Sequence, residues 1–578
     1  MHTFTIWAPL ARKLSVQAGD VRIAMHGPDE HGWWLAQVES AEPGSDYGFL
    51  VDDDPTVYPD PRSLWQPRGV HERSRVYDHA AFRWNDADFQ AAPLESAIVY
   101  ELHAGTFTPE GTLDGAIAKL DHLKQLGVTH VELMPVASFA GRHGWGYDGV
   151  ALYAVHEPYG GPNALKRFVD AAHRRGLAVL LDVVYNHFGP EGDYTGKFGP
   201  YVTKAHRTPW GGAVNLEEAH AFEVRRFFCD NALMWMRDFH IDGLRLDAVH
   251  AFVDRSAIHF LEQLAVETKA LEAALSRRLA LIAESDLNDP RIVTAREAGG
   301  FGLDAQWSDD FHHALFAVLA REPQGGYYAD FGSVGQLAKA LEDTFVYDGV
   351  YSRYRKRVHG RPARQLPQSR FLGCIQNHDQ VGNRAKGERL TASAGFDRAK
   401  AAAAIVLLAP FVPMIFQGEE WAASSPFPFF ADHDDPELAR MVSEGRKAEF
   451  AAFGWDPASI PDPEKRETFE SARLRWEEID RGQHAEMLAW YRELIALRRG
   501  TPDLNDNEPG HTHVQWDEEG RWIAVERASL TLVCNLGGAA HAHLLPRGSE
   551  ILLSSRSGLA VDRQWLQLPP DTAVVLHR

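Results

Sequence analysis

Four short apolar runs in the middle of the chain end in residues able to do acid–base chemistry. LLDVVYNH carries Asp182, Asn186 and His187, and GLRLDAVH carries Arg245 and Asp247. LALIAESD reaches Glu284, and FLGCIQNHD ends in His378 and Asp379. Arg245 and Asp247 are two apart, so on a strand their side chains share one face. A single carboxylate in such a place can equally be the cap of a following helix. Three carboxylates with an arginine and two histidines point instead to a reaction needing one ionised and one protonated carboxyl, as glycosidic bond hydrolysis does. Arg245 would keep Asp247 ionised, as a nucleophile requires. Glu284, after the apolar LALIA and near a negative charge, would keep its proton, as an acid requires. Asp379 suits binding sugar hydroxyls and stabilising an oxocarbenium ion as it develops.

The elements that must position these residues follow from the hydrophobic pattern. From about Ile98, strand-like runs (IVYELH, VTHVELMPV, AVLLDVVYN, DGLRLDAV, LALIAES, GLDAQW, FLGCIQN, VPMIFQG) alternate with helical ones such as GAIAKLDHLKQLG, ALKRFVDAAHRRG and AFEVRRFFCDNALMWMRDF. Eight near-continuous apolar strands with intervening helices predict an α/β fold, a (β/α)8 TIM barrel, whose functional residues gather at the C-terminal strand ends. Before it, FTIWAP, KLSVQAG, WWLAQVE and YGFLVDD predict a β-sandwich; after the helix ending near Gly500, WIAVERA, LTLVCNL, EILLSS and TAVVLHR predict another. The expected division is a sandwich over 1–90, a catalytic barrel over 91–502 and a second sandwich over 503–578.

DVVYNH, GLRLDAVH, LIAESD and IQNHD resemble, in order, the four conserved regions of the α-amylase superfamily. The resemblance implies Asp247 as nucleophile, Glu284 as general acid/base and Asp379 as transition-state stabiliser. It implies that His187, Arg245 and His378 line the sugar site at the cleavage point, and that Tyr147, in GWGYDGV, is an aromatic platform. The sandwich with WAP near its start resembles that of branching and debranching enzymes. PDPRSLWQPRGVH, WSDDFHH, NHDQVGNR and GEEWAASSPFPFFADH resemble the maltooligosyltrehalose trehalohydrolases, so that the likeness spans nearly the whole chain. That branch implies hydrolysis of the α-1,4 bond joining trehalose to a maltooligosaccharide. Residues on the departing side would then bond the leaving disaccharide: His250, then Asp309, Asp310, Phe311, His312 and His313, then Gln380 and Asn383. WSDDFHH also reads as a capped helix start, and PFPFF as a plug buried against the barrel. A branching or debranching enzyme, and a silent glucan-binding protein, are the rival readings. The three carboxylates together argue against the last.

The formal net charge of −21 disfavours nucleic acid, whose binding rests on cationic side chains. No apolar run approaches the ~18–20 residues of a membrane span. The opening MHTFTIWAPLARKL lacks the charged and apolar regions of a secretory signal, so a cytoplasmic location is expected. Cys229, Cys374 and Cys534 offer neither a disulfide framework nor zinc spacing, and Cys374 reads as a core residue. Asp148 and Asn186 suggest the calcium site of many amylases. That site needs a domain insertion absent from the sequence, so no required metal and no cofactor are expected. The basic run Arg353–Arg364 reads as a solvated loop after a helix.

Overall fold

The computed structural model describes all residues except 321–324, 452–454, 506–507 and 578. At its centre eight parallel strands close into a barrel: β1 (Val99–Leu102), β2 (His130–Leu133), β3 (Ala178–Val183), β4 (Gly243–Leu246), β5 (Ala280–Ala283), β6 (Ala305–Trp307), β7 (Phe371–Gly373) and β8 (Val412–Phe416). Each falls within one of the eight runs read from the sequence. Alternation divides their side chains between two cores. Val99, Leu180, Ile282, Trp307, Leu372 and Met414 fill the barrel, with Cys374 among them. Leu133, Leu181, Leu244, Leu246 and Leu281 turn outward into the large core. The helices behave similarly: Gly161–His173 and Ala221–Asp238 form as the periodicity predicts, whereas GAIAKLDHLKQLG breaks into Leu113–Ile117 and Leu120–Leu126.

Two sheets precede the barrel, one pairing His2–Trp7 with Trp33–Val38 and the other built of four strands including Leu14–Ala18 and Asp46–Val51. The connecting stretch anchors on the barrel: Arg62 donates to Asp230 (2.9 Å), and Trp65 to Glu157 (2.8 Å). At the other end, a five-stranded sheet and a three-stranded sheet form a sandwich. Arg527 ties it to the barrel by donating to the carbonyls of Leu408 (3.0 Å) and Ala409 (2.8 Å). All three cysteines are free and buried. Among the described residues no helix is long and apolar enough to cross a membrane.

The basic run departs from expectation. It forms the return of a hairpin, Val350–Ser352 against Arg357–His359, and Arg355 donates to Asp286 Oδ2 at 2.8 Å. The pair joins residues far apart in sequence, so no local pattern announces it.

Candidate active site

The rim is organised around one buried guanidinium. Inward alternation places Leu180 and Asp182 on one face of β3, and Arg245 and Asp247 on one face at the end of β4. In register, Asp182 lies opposite Arg245. The ladder runs on past the strand ends: the amide of Asp247 donates to Val183 (3.0 Å) and that of Glu284 to Leu246 (3.0 Å). Arg245 Nη1 donates to both oxygens of Asp182 at 2.9 Å and to Asp247 Oδ1 at 2.7 Å. Its Nη2 lies 3.5 Å from Glu284 Oε2, and its guanidinium stacks over Trp307 at 4.3 Å. A wholly buried cation thus meets three carboxyl groups, the arrangement that makes its own burial tolerable.

Asp247 is followed by a tight turn. Ala248 adopts a left-handed conformation (φ 39°, ψ 50°), which costs an L-residue with a Cβ roughly 1–2 kcal/mol. The turn aims the Ala248 amide at Glu284 Oε2, 2.5 Å away. Burial foremost, with Asp247, Asp309 and Asp379 nearby, raises the Glu284 carboxyl well above its usual range, against the pull of Arg245.

His378 follows β7 and is fixed from three sides. Its Nδ1 donates to Glu101 Oε1 (2.5 Å) and its amide to Glu101 Oε2 (2.9 Å), at the end of β1. Nε2 lies 2.7 Å from the Tyr147 hydroxyl, which itself donates to Asp182 at 2.5 Å. Despite burial, Asp379 and Glu101 raise the His378 pKa well above the ordinary value. Asp379 lies 3.4 Å from His378 Nε2. Against its own desolvation, His378, Arg245 and Arg446 hold its carboxyl down at about 2. Burial pushes Asp182 up to about 6.

Tyr147 stacks on His378 (5.1 Å, 24°). Gly146 sets this up: at φ 100° it packs so close to Pro135 that an added Cβ would sit 2.3 Å from the Pro135 carbonyl. His187 donates to the Tyr147 carbonyl at 3.1 Å and stacks on Trp210 (5.3 Å, 10°). Gln380 accepts from Tyr328 (3.0 Å), and Asn383 links Asp379 (3.3 Å) to Arg446 (3.1 Å). His250 is exposed; with Arg355 it holds Asp286 below its usual range despite burial.

The helix after β6 corrects the sequence reading. Asp309 is half-buried beside the acidic group, and burial, then Asp286, Asp379 and Asp310, raises it to about 7. Asp310 turns away, accepting from Asn288 (2.8 Å) and from the amides of Val346 (2.8 Å) and Tyr347 (2.7 Å). Phe311 is fully buried against Phe411. His312 is buried and bonded to Tyr328 (2.8 Å), and His313, nearly buried, packs among Tyr327, Tyr328 and Phe331. Asp310 and Phe311 are thus taken up in supporting the rim, and His312 and His313 are packed within it. The PFPFF segment is the expected plug, with Phe427 and Phe430 buried and Trp145 stacked on Phe427 (5.4 Å, 20°).

Sequence reasoning missed Glu101, Trp210, Ala248 and Arg355. Glu101 had a signal, a carboxylate two residues after inward Val99 in an otherwise apolar strand. Trp210, 47% exposed, sits in the Val202–Val214 hairpin, outside any periodic segment. Among the described residues, His71, Glu191 and Asp434 are the one group whose ligand atoms approach within 4.8 Å of one another; it shares no residue with the Arg245 cluster.

Comparison with known proteins matches residues 75–207 to the alpha-amylase catalytic domain and residues 508–575 to a domain of unknown function, DUF3459. The malto-oligosyltrehalose trehalohydrolase of Rhizobium sp. (strain M-11) is 47% identical over 99% of this chain and 97% of its own. That of Arthrobacter ramosus is 52% identical over 86% of this chain and 87% of its own. A crystal structure of a candidate alpha amylase from Salmonella typhimurium superposes with a TM-score of 0.90, at 37% identity, covering 100% of this chain and 97% of that one. The chain is therefore a glycoside hydrolase and belongs to the malto-oligosyltrehalose trehalohydrolase family within the α-amylase superfamily.

Proposed function

We propose that this glycoside hydrolase cleaves the α-1,4-glucosidic bond next to the terminal trehalose of a maltooligosyltrehalose, releasing trehalose and a maltooligosaccharide. The observation that carries the chemistry is the split environment around Arg245. Asp247 receives a short hydrogen bond from the guanidinium (2.7 Å), while Glu284, farther from it and surrounded by carboxylates, is raised well above its usual range. A carboxylate bonded to a guanidinium and a carboxyl whose hold on its proton is strengthened suit the two partners of a double-displacement hydrolysis. Asp247 attacks the anomeric carbon as Glu284 gives its proton to the departing oxygen of the trehalose unit. Glu284 then takes a proton from water as that water attacks the glycosyl-enzyme, so the α configuration is retained. Asp379, its carboxyl held down at about 2, stabilises the positive charge that develops at the ring. Tyr147 offers its face to the sugar whose bond breaks, and His187, Arg245 and His378 border it. In this reading the catalytic unit is 91–502, flanked by 1–90 and 503–578.

The departing side is assigned to His250, Asp309, Gln380 and Asn383. Trehalose has no free anomeric carbon, so recognition falls to hydroxyl groups. A site built to bond them rejects ligands that leave its polar groups unpaired. Maltotriosyltrehalose should yield maltotriose and free trehalose at least about a hundredfold faster than an uncapped chain of equal length is cut. Comparable rates on the two substrates, or products branched through α-1,6 bonds, would overturn the substrate assignment. NMR of the newly released reducing end should show the α anomer first.

A further inference from the structure

Asp379 is held by both of its oxygens, and each hold has a second residue behind it. Oδ2 faces His378 Nε2 at 3.4 Å, and His378 is itself fixed by the two oxygens of Glu101. Oδ1 accepts from the side-chain nitrogen of Asn383 at 3.3 Å. Asp379 and Asn383 stand four residues apart at the short helix His378–Gly382, a spacing that makes side chains neighbours. The backbone N–H of Asn383 also donates to the Asp379 carbonyl at 2.8 Å, which fixes that spacing.

The residue behind Asn383 comes from outside the barrel strands. Arg446 lies on the helix Pro436–Ala451, in the long segment that follows β8. Its Nη2 donates to Asn383 Oδ1 at 3.1 Å and to the Gly382 carbonyl at 2.7 Å. An arginine carries donors only, so its bond turns the Asn383 amide with the oxygen towards Arg446 and the nitrogen towards Asp379. Gly382 closes its helix, and a carbonyl left over at a helix end favours a cation. On the far side, Nη1 meets Glu449 at 3.1 Å, and the guanidinium lies over the Phe429 ring at 5.1 Å. Phe429 packs edge-on against Trp145 (5.2 Å), and a Cβ added at Gly382 would lie 2.1 Å from that indole. Helix end, amide and guanidinium therefore pack as one unit.

We propose that Arg446 is a positioning residue for the third carboxylate: through Asn383 it fixes Asp379 from the Oδ1 side, as Glu101 does from the Oδ2 side through His378. The role of Asp379 rests on the function proposed above. Without Arg446 the Asn383 amide is free to turn over, and Asp379 keeps one restraint of two. A carboxylate so loosened stabilises the charge developing at the ring less well, while binding of the unreacted sugar changes little.

The test is a double-substitution cycle in the full chain, following hydrolysis of maltotriosyltrehalose, with melting temperature as the check on folding. Arg446→Ala should lower kcat about 10–100-fold, the scale of a misplaced catalytic group, with KM within about twofold of the parent. Arg446→Lys, which keeps the charge but not the planar fork, should recover part of the loss. In an Asp379→Asn background, Arg446→Ala should lower kcat by less than about twofold, because the carboxylate it positions is already gone. Equal losses in the two backgrounds would overturn the proposal, as would an unchanged kcat. A rise in KM alone would make Arg446 a sugar-binding residue and overturn it too. Should Arg446→Ala fail to fold, Arg446→Lys and Arg446→Gln carry the same cycle. If the unaltered chain cut maltoheptaose but not maltotriosyltrehalose, the substrate assignment would fall, and the cycle run on maltoheptaose would still decide the role of Arg446.

Discussion

The end of β4 and the start of the helix after β6 present similar sequences, RLDAVH and SDDFHH, on the same rim of the barrel. In the first, strand geometry sends alternate residues to the same side, so Arg245 and Asp247 both reach the cleft. In the second, each helical residue turns about 100° from the last. Five consecutive side chains therefore cannot share a target. Asp309 stays beside the acidic cluster, Asp310 swings to the amides of Val346 and Tyr347, and Phe311 drops into the core. Polar residues at a strand end can be read as a set, whereas those at a helix start must be assigned one at a time.

The largest effects should come from the strand side. Glu284→Gln should lower kcat on maltotriosyltrehalose about 10²–10⁴-fold, the usual worth of a general acid. The loss should be smaller on a substrate whose leaving group needs no proton, and equal losses on both would remove Glu284 from the acid role. Because its carboxyl is raised and acts protonated, turnover should decline as pH rises through that elevated pKa. Asp247→Ala should abolish most turnover and, by taking one carboxyl partner from buried Arg245, lower the melting temperature, whereas Glu284→Gln should leave it close to that of the parent.

On the helix side, neighbours should separate by phenotype. Phe311→Ala removes a fully buried ring and should cost about 3–5 kcal/mol of stability. Asp310→Ala strands the amides of Val346 and Tyr347 and should cost about 2–5 kcal/mol, read from denaturant unfolding. Neither should alter the preference for capped over uncapped substrate at a permissive temperature. Asp309→Ala should narrow that preference without costing stability near neutral pH. If Asp310→Ala shifted selectivity instead, the contrast between the two aspartates would collapse.

Asp309 also gives the comparison a pH signature. Its carboxyl rises from its ordinary value to about 7 on folding, so the folded state holds the proton more tightly than the unfolded chain. The stability this contributes is fully present below about pH 4 and disappears as pH climbs through about 7. Asp309→Asn, unable to ionise, should therefore gain roughly 1–4 kcal/mol over the parent between those limits. Unfolding curves at acidic and neutral pH, giving a constant difference between the two proteins, would contradict the burial of that charge.

Legibility along the chain follows the range of the forces. The eight barrel strands were readable because apolar runs of strand length encode their own burial, and Asp182, Arg245, Asp247 and Glu284 because they interrupt that pattern at a strand's end. His378 was readable by position, though its clamp by Glu101 required knowing that a closed barrel brings β1 beside β8 and within reach of β7. Arg355 was misread because its partner, Asp286, is distant in sequence and the hairpin that carries it has no periodic signature. The left-handed turn at Ala248 left no trace, since alanine normally marks a helix rather than such a turn.

That turn offers the smallest and sharpest perturbation. Ala248 bears the cost of φ 39° so that its amide points at Glu284 Oε2, on the carboxyl assigned as acid. Glycine accepts the same backbone angles without the Cβ clash, so Ala248→Gly should relieve roughly 1 kcal/mol of strain. Glycine also frees the unfolded chain by a similar amount, and net stability should change by less than about 1 kcal/mol. What changes is rigidity at the joint between nucleophile and acid. A looser amide holds Glu284 less firmly in line with the departing oxygen, and misplacement there acts on the transition state more than on binding. The variant should bind uncleaved analogues as the parent does while kcat falls a few-fold, and Ala248→Ser, which keeps a Cβ, should retain more activity than glycine does. An unchanged kcat in Ala248→Gly would mean that the hydrogen-bond ladder around Asp247 and Glu284 fixes the acid by itself.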